Sequence, residues 1–303
     1  MSSIKTALSL LKTPGKMIFP IADKGLLNWI PDEQYLKLAY RMQMGKKLDL
    51  KNPQTFNEKL QWLKLNNRKP IYKRMVDKYE VKQYVSSIIG NEYIIPTIGL
   101  WENVKDIDLN SLPRKFVLKC THDSGSVIVC KDKDEFNWEA AKVKLQRHLT
   151  KNIYWFGREW PYKNLKPRII AEPLLEDSIN NEVRDYKLFC FNGIVRCFKI
   201  DFDRFIEHHA NYYDRNDNLL KIGEEICPPV FDKLIYIPKE MPSLIKLAEK
   251  LSASIPFLRA DFYVVDGKVY FGELTFYPAS GFGPFIFDGN DELLGSWLRL
   301  PVK

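Results

Sequence analysis

The chain has 303 residues, 45% hydrophobic and 13% aromatic, which suits about two domains, or one with insertions, around a sizeable core. Its 46 Lys and Arg against 38 Asp and Glu leave a net charge of +8, favouring acidic partners such as nucleotide phosphates, an acidic polymer or an anionic membrane surface. No compact Lys/Arg block or zinc-finger spacing points to nucleic acid, no twenty-residue apolar run points to a membrane span, and five cysteines without CxxC spacing read as buried reduced thiols of a cytosolic protein.

Residues 1–30 mix Lys5, Lys12, Lys16 and Lys24 with Ile4, Leu8, Leu10, Leu11, Met17, Ile18 and Phe19. Pro14 and Pro20 rule out one long helix, and the short apolar run without a cleavage site does not read as a signal peptide. The segment reads as an N-terminal helix docked on the core, with an amphipathic, membrane-touching segment as the alternative. Residues 32–89 are helical in pattern. Thr55-Phe56-Asn57-Glu58 opens a helix with a Thr or Asn cap and an acid in its first turn, and Leu60, Leu63 and Leu65 are its apolar positions. After Pro70 a further helix is predicted through Met75-Val76-Asp77-Lys78-Tyr79 to Ile88, ended at Gly90. The period then changes. Residues 94–100 suggest a strand broken by Pro96, and 116–120 and 126–130 are β-rich runs around the polar loop Thr121-His122-Asp123-Ser124-Gly125. Asn137 caps a helix with Trp138, Ala141, Leu145 and Leu149, and a polar loop with Trp155, Phe156 and Trp160 follows. Strands are predicted over 168–175, 185–192 and 194–200, the last two joined at Asn192-Gly193, and near 210–213. Pro242 starts a helix with Leu244, Leu247, Ala248 and Leu251 in one stripe. Strands meet mostly through hairpins with helices between, an α+β pattern rather than alternating βαβ.

The stretch 256–283 organises the rest. It reads as two strands around Asp266-Gly267, a tight-hairpin dipeptide. Strand alternation puts Arg259 and Asp261 on one face of the first strand, and Glu273 and Thr275 on one face of the second. Charges among Phe, Tyr and Val are costly unless paired or bound to metal, and a few hard oxygen ligands suit Mg²⁺ shared with phosphates. A surface hairpin with an Arg–Glu salt bridge is the plain alternative. A two-residue turn at Asp266-Gly267 would set Val265 against Lys268 and send Asp261 and Glu273 to opposite faces. A shared metal therefore requires a register shift, and an odd loop or bulge is predicted between Val264 and Val269, with both carboxylates facing the cleft of Lys119. Lys119 ends a strand just before Ser124-Gly125-Ser126, where small residues let backbone N–H groups approach an anion, although a plain hairpin turn is the commoner meaning of such a loop. His122 reads as a hydrogen-bonded loop histidine, and Glu207-His208-His209 as solvated residues, since adjacent histidines on a strand face opposite ways.

Taken in order, these parts resemble the ATP-grasp fold. Asp77-Lys78 with Val81, Lys82 and Tyr84 resembles the helix carrying the first nucleotide lysine of carboxylate–amine ligases such as D-alanine–D-alanine ligase. Lys119 with Ser124, Gly125 and Ser126 is similar to the second lysine and the flexible phosphate loop. Glu172 with Leu174 and Leu175 resembles the adenine-reading hinge, with Glu176 or Asp177 placed for ribose. Lys187 stands in a strand similar to the D-x-R strand of glutathione synthetase-like members, and Lys199 falls where a basic residue returns towards the γ-phosphate. Arg259-Ala-Asp261 and Glu273-Leu-Thr275 resemble the R-x-D and E-x-N signatures, whose acids hold two Mg²⁺ while the arginine steadies the transferred phosphoryl group. Pro278-Ala279-Ser280-Gly281 is similar to the substrate-carboxylate loop. Thr275 stands where Asn is usual, and the phosphate loop is less glycine-rich than in many members. The resemblance covers roughly residues 60 to 290. The wording FNEKLQWLKL, VDKYEVKQYV, FVLKCTHDSGS, DYKLFCFNG, RADFYV and FGELTFYPASG is most similar to the TupA-like branch, associated with bacterial cell-surface polysaccharides and, in its type member, with teichuronopeptide synthesis.

The resemblance implies two α+β subdomains whose antiparallel sheets grip ATP, preceded by a helical N-terminal region. The expected division is 1–60 for that region, 61–115 for a part carrying the first lysine, 116–180 for a lid, and 181–303 for the subdomain with the metal site. It implies an ATP- and Mg²⁺-dependent carboxylate–amine ligase, with Arg259, Lys199 and Lys187 as catalytic residues. Its substrates would be an acidic sugar or amino-acid carboxylate and an amine, without nucleic acid. Its expected place is the cytoplasm, with peripheral contact at the inner face of the membrane through residues 1–30. The alternative is a nucleotide-sugar glycosyltransferase, which expects a D-x-D element; Asp201-Phe-Asp203 and Asp106-Ile-Asp108 are the matches.

Overall fold

The computed structural model describes residues 18–177, 183–203 and 206–302, so the reading of residues 1–17 lies outside the described residues. Three helices come first: α1 (Ile18–Asp23), α2 (Asp32–Met44) and α3 (Phe56–Asn66). Thr55 caps α3 through a reciprocal box, its hydroxyl accepting from Glu58 N–H while the Glu58 carboxylate accepts from Thr55 N–H. The predicted single helix after Pro70 is two helices, α4 (Ile71–Val76) and α5 (Glu80–Ile89). The break has a local cause. Asp77 is extended, and its Oδ1 accepts from the N–H groups of Tyr79 and Glu80, which restarts the helix.

Four strands, β1 (Gly99–Trp101), β2 (Phe116–Cys120), β3 (Ile128–Cys130) and β4 (Ile169–Pro173), form a small antiparallel sheet in the order β1-β4-β2-β3. The strand expected over 94–100 shortens to β1, because Pro96 lacks an N–H for the ladder. Between β3 and β4 lie α6 (Trp138–Leu149) and the single-turn helix α7 (Tyr154–Gly157). The larger sheet contains β5 (Asp185–Phe191), β6 (Ile194–Phe202), β7 (His209–Asp214), β8 (Leu219–Leu220), β9 (Phe257–Val265) and β10 (Lys268–Thr275), in the order β10-β9-β5-β6-β7-β8. Helix α8 (Met241–Ser252) precedes β9, and α9 (Asn290–Trp297) ends the described helices.

The larger sheet is apolar on both faces, unequally. Leu188, Phe198, Leu258, Ala260 and Phe262 are all fully buried in the main core together with Leu244, Ala248 and Leu251 of α8. Each such leucine contributes roughly 1.5–3 kcal/mol on burial. The opposite face carries Lys187, Lys199, Arg259 and Asp261 at the alternate positions, with Phe191 and Phe257 at one end packing on Phe56 of α3 and Phe189 packing on Phe257. Period-two alternation thus assigns one face to a helix and the other to charge.

Candidate active site

The hairpin of β9 and β10 decides where the carboxylates go. Its turn is a regular two-residue one: Val265 pairs with Lys268, and Asp266 and Gly267 have φ 49 and 75. The odd loop or bulge predicted between Val264 and Val269 is therefore not there. The register shifts further along, between Phe271 and Glu273, where Gly272 bulges and leaves Glu273 directly opposite Asp261. The close approach explains the glycine, since a Cβ at 272 would lie 3.0 Å from the Asp261 carbonyl oxygen and 3.2 Å from the Tyr263 ring.

Pairing then extends this face across five strands. Glu273 faces Asp261, Asp261 faces Lys187, Lys187 faces Lys199, and Lys199 faces Tyr212. Neighbouring strands lie about 4.8 Å apart, so two carboxylates and two ammonium groups follow one another over roughly 15 Å. Arg259 stands two residues before Asp261 on the same face. It binds Asp261 through both oxygens, at 2.7 and 2.6 Å, and reaches Glu273 Oε1 at 3.0 Å. Burial pushes Asp261 up to about 6 against the pull of Arg259, with the Glu273 carboxylate adding to the rise. Burial pulls the Arg259 guanidinium down, but Asp261 and Glu273 hold it above its ordinary value. One guanidinium thus binds both opposed carboxylates, and Lys187 stands opposite Asp261 on its other side.

Lys187 pairs with Asp201 and lies 3.4 Å from Asp185. Lys199 donates to Glu224 at 2.6 Å. Glu224 also accepts from the Tyr212 hydroxyl at 2.7 Å and the Cys227 thiol at 3.0 Å. Burial alone would raise the Glu224 pKa; Lys199 and these donors bring it down to about 2. The D-x-D candidate at 201 and 203 splits. Asp201 is buried against Lys187, and Asp203 pairs with Lys233. It does not present two free carboxylates to a metal.

The small sheet contributes the other wall. Lys119, on β2, meets Glu172 of β4 at 2.5 Å, and Lys82 of α5 meets the other oxygen of Glu172 at 2.5 Å. Glu172 is 4% exposed; burial opposes its charge, but the two lysines hold its pKa below the ordinary value. Its side chain therefore orients cations, whereas the hinge reading concerned backbone edges. Lys78 is not on a helix as predicted but in the break between α4 and α5, where its N–H donates to the Thr121 carbonyl at 2.9 Å and its ammonium to the Asp123 carbonyl. Burial lowers its pKa against the pull of Glu273, and Lys119 lowers it further. A cavity there is walled by Lys78, Lys82, Lys119 and Glu172 on its polar side and by Val81, Ile94, Ile95 and Phe271 on its apolar side. A larger groove of about 400 Å³, lined by Asn192, Ala253 and Arg299, opens at the far end of β5 and includes none of the charged row.

The remaining predicted residues sit around this centre. Ser124 and Gly125 are exposed, while Ser126 turns its hydroxyl inwards. Leu174 and Leu175 follow β4 half-buried, and exposed Glu176 pairs with Lys115 at 2.7 Å. Ser280 and Gly281 belong to a left-handed run, with φ of 46, 53 and 62 at Ala279, Ser280 and Gly281. Helix α3 holds that run: Gln61 donates to the Gly281 carbonyl at 2.5 Å, and buried Lys64 to the carbonyls of Ser280 and Gly157 at 2.7 and 2.6 Å. The Ser280 hydroxyl donates to Glu159. Burial, with Glu159 and Glu273 adding, pushes the Tyr162 phenol well up. His122, expected as a hydrogen-bonded loop histidine, is buried in the loop after β2. Sequence reasoning missed Lys82 as a Glu172 partner and Asp201 as a Lys187 partner, and Glu224, Glu159 and Tyr162 altogether. No spacing signal announces them, because each acts across a fold contact.

Asp261, Glu273 and the Thr275 hydroxyl form an open set of hard oxygen donors, suited to Mg²⁺ that completes its shell with water and phosphate. Among the described residues no group of three or more His, Cys, Asp and Glu side chains could hold a metal ion by itself, so water and phosphate would have to supply the rest of the shell.

The sequence model of the TupA-like ATPgrasp family matches residues 58–299. No curated protein matches in sequence. Among solved structures, the chain is similar to N5-carboxyaminoimidazole synthetase from Staphylococcus aureus, at 13% identity over 75% of this chain and 53% of that one, with a TM-score of 0.41. It is also similar to D-alanine–D-alanine ligase from Helicobacter pylori, at 18% identity over 74% and 58%, with a TM-score of 0.40. The chain spans between half and two thirds of the length of these two proteins.

Proposed function

The chain belongs to the TupA-like ATP-grasp family, and we propose that it is an ATP-dependent ligase that joins a carboxylate to an amine. The observation that carries this reading is the directly opposed row Glu273, Asp261, Lys187, Lys199, at whose edge Phe271 and Gly272 line one cavity with Lys78 and Lys119. Phosphoryl transfer needs fixed positive charge around a migrating phosphoryl group and hard ligands beside it, and little other covalent chemistry from the protein.

In this reading the adenine lies against Val81, Ile94, Ile95 and Phe271, and Lys78, Lys119 and the 124–126 loop hold the phosphates. Asp261 and Glu273, with Thr275, would hold Mg²⁺, which when bound neutralises charge on the phosphate oxygens. Lys187, Lys199 and Arg259 offset the charge that develops as the γ-phosphoryl group moves to the substrate carboxylate. The product is an acyl phosphate. The amine then attacks the acyl carbon, the C–O bond to phosphate breaks, and inorganic phosphate leaves with the bonding pair as the amine loses a proton. The Ser280-Gly281 run receives the substrate carboxylate. We further propose that the acid is a sugar acid or amino acid on a cell-surface polysaccharide or its precursor, in keeping with the family. The subdomain division at 60, 115 and 180 and a membrane contact through residues 1–30 remain part of the same proposal; no helix among the described residues is long and apolar enough to cross a membrane.

The test is an ATP-hydrolysis screen of sugar acids crossed with amino acids and amines, with products identified by mass. Phosphate release that needs both an acid and an amine, and a product heavier than the acid by the amine less water, is the expected result. Turnover of a nucleotide sugar without ATP would overturn the reading.

A further inference from the structure

The 121–126 loop contains a buried carboxylate that phosphate binding does not call for. Asp123 has a fully enclosed side chain. Its Oδ1 accepts from the Ser126 hydroxyl at 2.6 Å, and that hydroxyl oxygen accepts from the Cys120 N–H at 2.8 Å. Its Oδ2 meets Nδ1 of His148, in the last turn of α6. Its main-chain carbonyl accepts from the Lys78 ammonium. One residue therefore ties the end of β2, the exposed Ser124-Gly125 tip, α6 and the α4–α5 break together.

The charge is what needs explaining. A carboxylate within an anion-binding loop repels the anion, and a buried one is unstable without a countercharge. The Lys78 ammonium, bonded to the main-chain carbonyl of Asp123, also feels the carboxylate charge, but the groups bonded to the carboxylate itself are His148 and the neutral Ser126 hydroxyl. A carboxylate can only accept, so Nδ1 of His148 carries a proton and donates it towards Asp123. We propose that His148 is a positioning residue for the nucleotide phosphates: through that bond it offsets the Asp123 charge inside the loop and fixes the 124–126 segment and Lys78 against α6. The inference rests on the nucleotide site assigned above.

The experiment compares displacement of a fluorescent ATP analogue by Mg²⁺–ATP and by adenosine, which lacks phosphates, in wild type and variants of the full chain. His148→Ala should weaken ATP binding roughly tenfold or more, as an anion approaching an uncompensated carboxylate would suffer, and leave adenosine binding unchanged. Adding Asp123→Asn to His148→Ala removes the charge that needed cancelling, and should restore most of the ATP affinity. A merely structural role for His148 predicts equal losses for ATP and adenosine and no rescue; that pattern, or unchanged ATP binding in His148→Ala, overturns the inference alone. Wild type that binds neither ligand overturns the nucleotide site and this inference with it. If His148→Ala loses its thermal unfolding transition, His148→Phe, which fills the space of the ring without a donor, takes its place in the same comparison.

Discussion

Asp261 is the residue whose environment says most about the site. Because burial raises its pKa from 3.8 to about 6, the folded state binds its proton more tightly than the unfolded state does. The associated stability is complete below 3.8 and is lost as pH rises through about 6, an amount on the order of 3 kcal/mol for a two-unit shift. Metal-free wild type should therefore lose stability relative to Asp261→Asn as pH is raised across that window, measured by urea unfolding. Parallel pH dependences in the two proteins would contradict the shift. With Mg²⁺ and ATP present, Asp261→Asn and Glu273→Gln should each abolish turnover and weaken Mg²⁺–ATP binding with the fold intact; wild-type rates in either would remove it from the metal site. Lys119→Ala should cost on the order of 2–4 kcal/mol of transition-state stabilisation, read as kcat/KM for ATP. It also leaves buried Glu172 with Lys82 alone, so a lower melting temperature should accompany the kinetic loss.

At the scale of elements, three local devices aim the side chains. The Gly272 bulge brings Glu273 opposite Asp261. Gly272→Ala would press a methyl group against the Asp261 carbonyl at 3.0 Å, backbone that cannot swing away. We expect a loss of roughly 1–3 kcal/mol in unfolding free energy together with weaker Mg²⁺ binding, as for other overpacked sites. Unchanged Mg²⁺ affinity would show that the bulge does not set the carboxylate geometry. The Asp77 break frees Lys78 from a helix face and lets it bind across to the 121–123 segment; Arg168, 3.2 Å from Asp77 and 3.0 Å from Glu80, holds the break in place. Helix α3 restrains the left-handed run at 279–281 with Gln61 and Lys64. Burial lowers the Lys64 pKa to about 7, yet its donors satisfy two carbonyls that nothing apolar could. Lys64→Met should therefore cost roughly 1–3 kcal/mol per carbonyl left unsatisfied, measured by thermal unfolding, and raise the KM of the acid substrate more than that of ATP. A KM change confined to ATP would detach the 279–281 run from the substrate carboxylate.

Over the whole molecule, Lys119 and Glu172 of the small sheet line one cavity with Phe271 and Gly272 of the large one. A ligand that binds only the folded state must stabilise it, by about 2.7 kcal/mol at a concentration one hundred times its Kd. Mg²⁺–ATP should therefore raise the melting temperature of wild type and do so much less for Asp261→Asn. A nucleotide sugar that protects more strongly than ATP would favour the glycosyltransferase, against the enclosure of Asp201 by Lys187.

Much of this was legible in the order of residues. The α+β class followed from hairpin signals and apolar stripes, and the family from six stretches of wording, because local geometry and short motifs are written in adjacent positions. The conflict at the hairpin was legible too. Parity alone showed that a two-residue turn and a shared metal required a register shift. Where that shift falls was not, because Asp-Gly accommodates either turn and only the close approach of β9 to Gly272 distinguishes them. The Lys82–Glu172–Lys119 and Asp123–His148 pairings, and the row from Glu273 to Lys199, join residues far apart in the chain. Their partners are chosen by strand order and helix docking, which depend on burying the whole core at once, so only the tertiary structure could decide them.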